Sequence, residues 1–312
     1  MKLEGVHHVS AITADAPANV GFYAGTLGLR LVKKTVNQDD PSVYHLFYAD
    51  EAGSPGSDLT FFEYPGARPG RAGDGMVHQV GWRVASDEAL DFWDQRLQAV
   101  GVHGRRGDGT LDFHDPEGLG LQLRVVQTTD RPLVAEHPEV PAELAIQGFD
   151  GVRAFSRDPG RSQDFLIDAL DFTAPDEHGY RCQGDDRGSF YSYDLPAGPA
   201  VAGAGTVHHV AWACRMDEQL HWRDRVISAG GQPTPVIDRF YFRSVYFREP
   251  SGVLFEVATI GPGFATDEPQ EHLGERLSLP PAFEHLRFQV ERTLTPLPNP
   301  RAEVTPGTSS AR

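Results

Sequence analysis

Hydrophobic and polar residues alternate along two short stretches of the chain, as they do in β-strands with one buried face. The stretches are residues 76–82 (MVHQVGW) and 206–212 (TVHHVAW). Each is followed by a helical pattern that begins at acidic residues and ends at glycine. A turn then leads into another strand, in DPEGLGLQ at 115–122 and in EPSGVLFE at 249–256. The chain therefore repeats one strand-helix-strands module.

The same template fits two further parts of the chain, where residues 6–9 (VHHV) and 149–152 (FDGV) precede helical patterns. The sequence therefore predicts an α+β fold of four βαβββ modules. The predicted bounds are 3–64, 76–127, 146–196 and 205–259, followed by a C-terminal extension at 260–295 with one helix and a flexible tail at 296–312.

A module with one helix and a short sheet cannot cover both faces of that sheet, so we expect the modules to pair. The helices would then lie outside, and two open barrels would each surround a cavity. In the first strand of every module, positions of one parity are apolar or small, and those of the other parity are polar or small. The equivalent cavity-facing position holds, in module order, His8, Gln79, Gly151 and His209.

Only the first and fourth modules carry a histidine at that position. In the closing strands, Glu256 of the fourth module is equivalent to Gln122 of the second. Two imidazoles and one carboxylate facing one cavity are typical of a facial triad, which leaves adjacent metal positions open and suits Fe(II). Mn(II) accepts the same ligands. We therefore expect His8, His209 and Glu256 to bind a metal, which requires pairing of modules one with four and two with three.

Several polar residues near these three have two interpretations. By alternation, His7 and His208 point to the opposite faces of their strands, where each either makes a rim hydrogen bond or supports a ligand. Arg239 and Tyr246 face solvent on alternation alone, but they could reach a substrate beside the metal. Two further histidines have no partner in this scheme and are interpreted as structural: His45 and His78.

The composition of the chain indicates which classes of binding partner are excluded. The 312 residues include 28 Lys and Arg against 44 Asp and Glu, and the net charge of -16 repels nucleic acid and anionic membranes. With 2 cysteines the chain has no disulfide framework. No apolar stretch resembles a signal peptide or a membrane span. We expect a cytoplasmic protein with small-molecule partners, for which a homo-oligomer is compatible with the sequence.

With these motifs the sequence resembles the vicinal oxygen chelate superfamily, and within it the hydroquinone ring-cleaving extradiol dioxygenases. The resemblance covers about residues 3–275 and includes YHLFYAD at 44–50, GSPG at 53–56 and LTFF at 59–62. In catechol-cleaving relatives all metal ligands lie in the last two modules. Here Gly151 occupies the third-module position, which favours the hydroquinone branch.

The resemblance implies Fe(II), O2 as cosubstrate, and an aromatic diol with para hydroxyls that is opened to a semialdehyde acid. The family's metal ligands correspond to His8, His209 and Glu256, and its second-sphere residues to His7, His208, Arg239 and Tyr246. It further implies that Tyr246 and the two second-sphere histidines transfer protons and that Arg239 orients the substrate or stabilises an anion.

Two other functions remain open. A glyoxalase-type isomerase or thiol transferase uses the same fold, but the isomerase usually has a fourth protein ligand, and Gln122 and Thr60 at that position are weak ligands. A non-catalytic member that binds an aromatic drug would keep the cavity and lose the three ligands. Oxygen uptake with hydroquinone after anaerobic Fe(II) reconstitution distinguishes these functions.

Overall fold

The computed structural model describes residues 1–176 and 179–301 of the chain. In chain order the strands are β1 (Val6–Thr13), β2 (Arg30–Asn37), β3 (Asp40–Ala49), β4 (Asp58–Glu63), β5 (Met76–Val84), β6 (Arg105–Gly107), β7 (Thr110–His114), β8 (Gly120–Val125), β9 (Phe149–Phe155), β10 (Gly179–Gln183), β11 (Gly188–Asp194), β12 (Val207–Cys214), β13 (Ile237–Asp238), β14 (Phe242–Arg248) and β15 (Leu254–Pro262). The α-helices are α1 (Ala16–Val20), α2 (Asp87–Ala99), α3 (Gln219–Ser228) and α4 (Arg287–Thr293).

The strands form two sheets, each built from two modules. The first sheet has the order β13-β14-β15-β12-β1-β4-β3-β2, and the second has the order β10-β11-β9-β5-β8-β7-β6. Antiparallel pairing of β1 with β12 joins the first module to the fourth, and antiparallel pairing of β5 with β9 joins the second to the third. The predicted α+β class and the predicted pairing of modules are therefore confirmed.

Helices cover one face of each sheet. Ser86 immediately precedes α2, where it accepts a hydrogen bond from the backbone N–H of Ala89 and so caps the first turn. Leu90, Trp93 and Leu97 then recur at helical spacing and are fully buried against the sheet. The helix of the first module is less regular, because α1 continues as a π-helix to Thr26.

The buried face of the first strands has the predicted parity. Val9, Val80, Val152 and Val210 are each 0% exposed and belong to one hydrophobic core. Because side chains alternate along a strand, the polar positions between these valines face the cavities.

Alternation is interrupted by a β-bulge on each of the two central strands of the first sheet. Val6 pairs with Trp212 and His8 with Ala211, so His7 is an extra residue on β1. On β12, register shifts in the same way at His208. A bulge leaves one residue unpaired and re-aims its side chain. The expectation that His7 and His208 point away from the ligand histidines is therefore wrong.

The C-terminal extension packs against the first module. The backbone N–H of Ser278 donates to the carbonyl of Lys34, and the side chain of Lys33 is paired with Asp267 and Glu268. The predicted flexible tail lies outside the described residues after 301. The last described residue of the tail, Arg301, forms a bidentate ion pair with Glu51.

Among the described residues, no helix combines the length and the apolar character that crossing a membrane requires.

Candidate metal centre and substrate cavity

Three neighbouring strands bring His8, His209 and Glu256 together. His8 lies on β1, His209 on β12 and Glu256 on β15, and all three side chains are buried. The Nε2 atoms of the two histidines are 3.2 Å apart. Glu256 Oε2 lies 3.2 Å from His8 Nε2 and 3.0 Å from His209 Nε2. Residues at positions 8, 209 and 256 of the sequence thus form one small triangle of ligand-type atoms.

The size of this triangle fits a metal ion with ligands at right angles. Ligands about 2.1 Å from a metal and at right angles to one another are about 3.0 Å apart, close to the three observed distances. Neither carboxylate oxygen of Glu256 has a hydrogen-bond donor of ordinary geometry among the described residues. Because an unpartnered buried carboxylate is costly, a bound cation would relieve it. The donor set therefore fits a divalent metal.

The electrostatics of the triangle favour an ionised carboxylate. Burial alone would raise the pKa of Glu256, but His8 and His209, where they are protonated and donate to the carboxylate, outweigh burial and hold that pKa well below its usual value. Burial lowers the pKa of His209, which favours the neutral imidazole that a metal requires.

His7 fixes which nitrogen of His8 faces the site. The Nε2 of His7 lies 3.2 Å from the carbonyl oxygen of Thr259, which can only accept, so this nitrogen carries the proton. Burial and then the neighbouring His8 ring lower the pKa of His7 to about 3, so the ring is neutral and its Nδ1 accepts. That Nδ1 is 2.9 Å from His8 Nδ1, which must donate. His8 Nε2 is left with its lone pair directed at the triangle.

A similar contact supports the second ligand histidine. His208 Nδ1 lies 2.8 Å from His209 Nδ1. Desolvation, and then the neighbouring His209, lower the pKa of His208 to about 4, so it is neutral near pH 7. Unlike His7, His208 is exposed on one side, toward a groove between the two sheets.

His8 and His209 lie at the base of a cavity that holds about 430 Å³ of empty space, counting its open mouth. This volume lies toward the small end of ligand pockets and suits a single-ring compound. Its aromatic walls are formed by Phe47, Phe62, Tyr241, Phe242 and Tyr246. Polar residues of the β2–β3 turn, Asn37 to Asp39, line its mouth.

His45 also lines this cavity, which corrects its interpretation as a structural residue. Its Nε2 is 2.9 Å from Thr60 Oγ1, and that hydroxyl is 2.7 Å from Ser10 Oγ. Burial of the ring, followed by the nearby His8 and His209, holds the pKa of His45 well below its usual value. Sequence reasoning missed His45 because it lies on β3, away from the first and last strands on which the modules were compared. One signal was available in the sequence. His45 lies two residues before Phe47 on the same strand, so the two side chains point to the same face, and Phe47 also lines the cavity.

Arg239 and Tyr246 both line the cavity rather than facing solvent alone. The Arg239 Nε lies 3.4 Å from the Tyr246 hydroxyl, and its Nη atoms form an ion pair with Asp39 at 3.0 and 2.9 Å. Burial, and then the charge of Glu256, raise the pKa of Tyr246 above its usual value. Tyr246 is therefore protonated near pH 7 and can donate a hydrogen bond.

The second sheet does not repeat the ligand triangle among its described residues. Gln79 and Gln122 donate instead to Asp112, at 3.1 and 2.7 Å. At the third-module position, a side chain on Gly151 would collide with Phe190. His78 stacks on Phe155 with 3.8 Å between ring centroids, in keeping with a structural role.

A comparison with protein families identifies the class. The model of the glyoxalase/bleomycin resistance protein/dioxygenase superfamily matches residues 5–123 and 148–257. The chain belongs to this superfamily, as its resemblance to vicinal oxygen chelate proteins implied.

Several relatives match almost the whole chain. MhqO of Bacillus subtilis, named as a candidate ring-cleaving dioxygenase, is 42% identical and aligns with 95% of this chain and 97% of its own. A chlorohydroquinone/hydroquinone 1,2-dioxygenase of Sphingobium indicum is 32% identical and aligns with 94% of this chain and 96% of its own. A crystal structure of a candidate dioxygenase from B. subtilis has a TM-score of 0.90 at 39% identity, covering 96% of this chain and 98% of that one. Glyoxalase I from Zea mays, at 14% identity and a TM-score of 0.55, shares the fold alone over 88% and 97% of the two chains.

Proposed function

We propose that this protein is an Fe(II)-dependent, extradiol-type ring-cleaving dioxygenase that acts on hydroquinone-like para-diols with O2. The observation that carries the proposal is the triangle of His8, His209 and Glu256, whose two histidines line a small aromatic cavity with polar groups on its wall. The hydroquinone dioxygenase among its relatives supports the choice of substrate.

In this proposal His8, His209 and Glu256 hold the metal. Bound Fe(II) would supply a centre that passes electron density from the diol to oxygen, and Mn(II) would fit the same donors. His7 and His208 act as positioning residues, because each contacts the Nδ1 of one ligand and keeps that ring in place.

The cavity walls would orient a single aromatic ring. Phe62 and Phe242 flank the ligand histidines, with 6.5 Å between the ring centroids of Phe62 and His209 and 5.0 Å between those of Phe242 and His8. Phenylalanine rings beside the ligand histidines can pack against an aromatic ligand and exclude water. Binding in a fixed orientation removes much of the entropic cost of the reaction.

The polar residues would handle protons and the far hydroxyl of the diol. A para-diol can place only one hydroxyl at the metal, so the other must be held by protein. Tyr246, which is protonated, can donate to that hydroxyl, and Arg239 can orient it. Neutral His45 can accept a hydrogen bond from a substrate hydroxyl. Overall, one ring carbon–carbon bond breaks, and both atoms of O2 enter a semialdehyde acid.

The direct test is anaerobic reconstitution with Fe(II), followed by measurement of oxygen uptake with hydroquinone and with catechol. We expect hydroquinone to be cleaved faster. His8→Ala should lose bound iron, whereas Gln79→Ala, the equivalent change in the second module, should retain it. Full iron content in His8→Ala would contradict the ligand assignment, and faster cleavage of catechol would contradict the substrate assignment.

A glyoxalase-type isomerase is less well supported. Thr60, at the position of a fourth ligand, is hydrogen-bonded to Ser10 and His45 and is not part of the ligand-atom cluster found among the described residues.

A further inference from the structure

The mouth of the cavity contains two opposite charges that neutralise each other. Asp39, in the β2–β3 turn, accepts two hydrogen bonds from Arg239, from Nη1 at 3.0 Å and from Nη2 at 2.9 Å. The remaining guanidinium nitrogen, Nε, faces the Tyr246 hydroxyl at 3.4 Å. Gln38 donates to the Arg239 carbonyl at 2.7 Å and so keeps the turn beside the arginine. All three guanidinium nitrogens therefore have partners.

Arg239 is the one cationic side chain among the described residues that line this cavity, unless a histidine is protonated. A ligand carboxylate binds best to an arginine through the same planar pair of N–H groups that Asp39 already uses. A carboxylated ligand would also meet the negative charge of Asp39 at the mouth. An uncharged diol has neither difficulty.

We infer that Asp39 is a specificity-determining residue, which makes the cavity accept uncharged para-diols and reject those that carry a ring carboxylate. The inference rests on the proposed ring-cleaving function and adds a restriction on its substrates. Asp39 itself contacts no ligand atom of the metal site and acts by occupying Arg239. Its side chain is 73% exposed, so replacing it should not disturb folding.

The first test compares kcat/KM of the Fe(II)-loaded enzyme for hydroquinone and for 2,5-dihydroxybenzoate. We expect the native protein to favour hydroquinone strongly. Asp39→Asn frees the guanidinium, and the ratio of the two constants should move toward the carboxylated diol at least tenfold. Asp40→Asn is the matched control, because it removes the same charge from the neighbouring residue, the first of β3, while Asp40 accepts a hydrogen bond from Ser42 rather than from Arg239.

The second test measures binding without turnover. Titration calorimetry of metal-free protein with 4-hydroxybenzoate, which carries a carboxylate opposite its hydroxyl, should show at least tenfold tighter binding to Asp39→Asn than to the native protein. The gain should shrink as salt is added, because it is electrostatic. Asp40→Asn should bind like the native protein.

The outcomes separate this inference from the proposed function. Unchanged ratios and affinities in Asp39→Asn, or equal gains in Asp40→Asn, would overturn the role of Asp39 while leaving hydroquinone cleavage intact. Absence of oxygen uptake with every diol would overturn the proposed function instead, and the binding comparison would still decide whether Asp39 masks Arg239.

Discussion

At the residue scale, two groups on opposite sides of the ligand triangle have different tasks. Tyr246 faces the cavity beside His209, with 5.5 Å between their ring centroids. His7 lies behind His8 and is not among the described residues that line the cavity. The first can act on a substrate directly. The second can act only through the ligand it contacts.

Tyr246→Phe should keep the metal and lose turnover. Removing a hydrogen bond to a buried substrate hydroxyl costs about 1 to 3 kcal/mol, which lowers the rate constant roughly tenfold to hundredfold. The measurement is oxygen consumed per bound iron with hydroquinone. If turnover per iron is undiminished, Tyr246 has no part in the reaction.

His7→Phe should weaken metal binding, because His8 would lose the acceptor that fixes its tautomer. Loss of such a supporting contact typically costs about 10- to 100-fold in metal affinity. Competition with a chelator measures this affinity. His78→Phe is the matched control, since His78 occupies the equivalent bulge of the second module, where no ligand lies. Equal metal affinities of the two variants would show that His7 does not support the metal site.

At the element scale, irregularities in the strands and turns build the site. A bulge on β1 brings His7 to His8, and a bulge on β12 brings His208 to His209. The β2–β3 turn lines the mouth of the cavity, and the segment after β15 packs against β2. That support depends on Lys33, which is 0% exposed and lies 4.8 Å from the centroid of the cavity-lining Tyr241 ring.

Lys33→Met should destabilise the protein markedly. The substitution leaves Glu268, whose side chain is 1% exposed, and the partly buried Asp267 without their cation. Breaking a buried ion pair from one side costs about 3 to 5 kcal/mol. The melting temperature should therefore fall. Lys2→Met, which removes an exposed lysine paired with Asp185, should leave it nearly unchanged. A similar melting temperature for both variants would show that the extension does not depend on Lys33.

At the scale of the whole molecule, the centre lies on the seam between the first and fourth modules. His8 comes from one side of the β1–β12 pair, and His209 and Glu256 come from the other. A metal that bridges this seam binds only the folded arrangement, so metal binding and folding are linked.

Saturating metal should therefore raise the melting temperature. At a free metal concentration 100 times Kd, linkage adds about 2.7 kcal/mol to the free energy of unfolding. Calorimetry with and without Mn(II) measures the shift. Glu256→Ala should abolish it, and Gln122→Ala, the equivalent change in the second module, should preserve it. A full shift in Glu256→Ala would place the stabilising metal elsewhere.

Much of the architecture follows from the sequence alone. Strand alternation and the fourfold repeat predicted the buried valines, the α+β class and the pairing of modules. They also singled out His8, His209 and Glu256, whose side chains the fold brings together. These features are predictable because side-chain direction in a strand has a fixed period, and because equivalent positions of a repeat occupy equivalent places.

Other features were decided only by the tertiary structure. The bulges turn His7 and His208 toward the ligands, although strict alternation directs them away. Packing of distant segments places His45 on the cavity wall, and it brings Asp39 to Arg239 across 200 positions of sequence and Lys33 to Glu268 across 235. The physical reason is that local periodicity describes one strand at a time. Register shifts, sheet curvature and contacts between distant segments arise from the packing of many strands together.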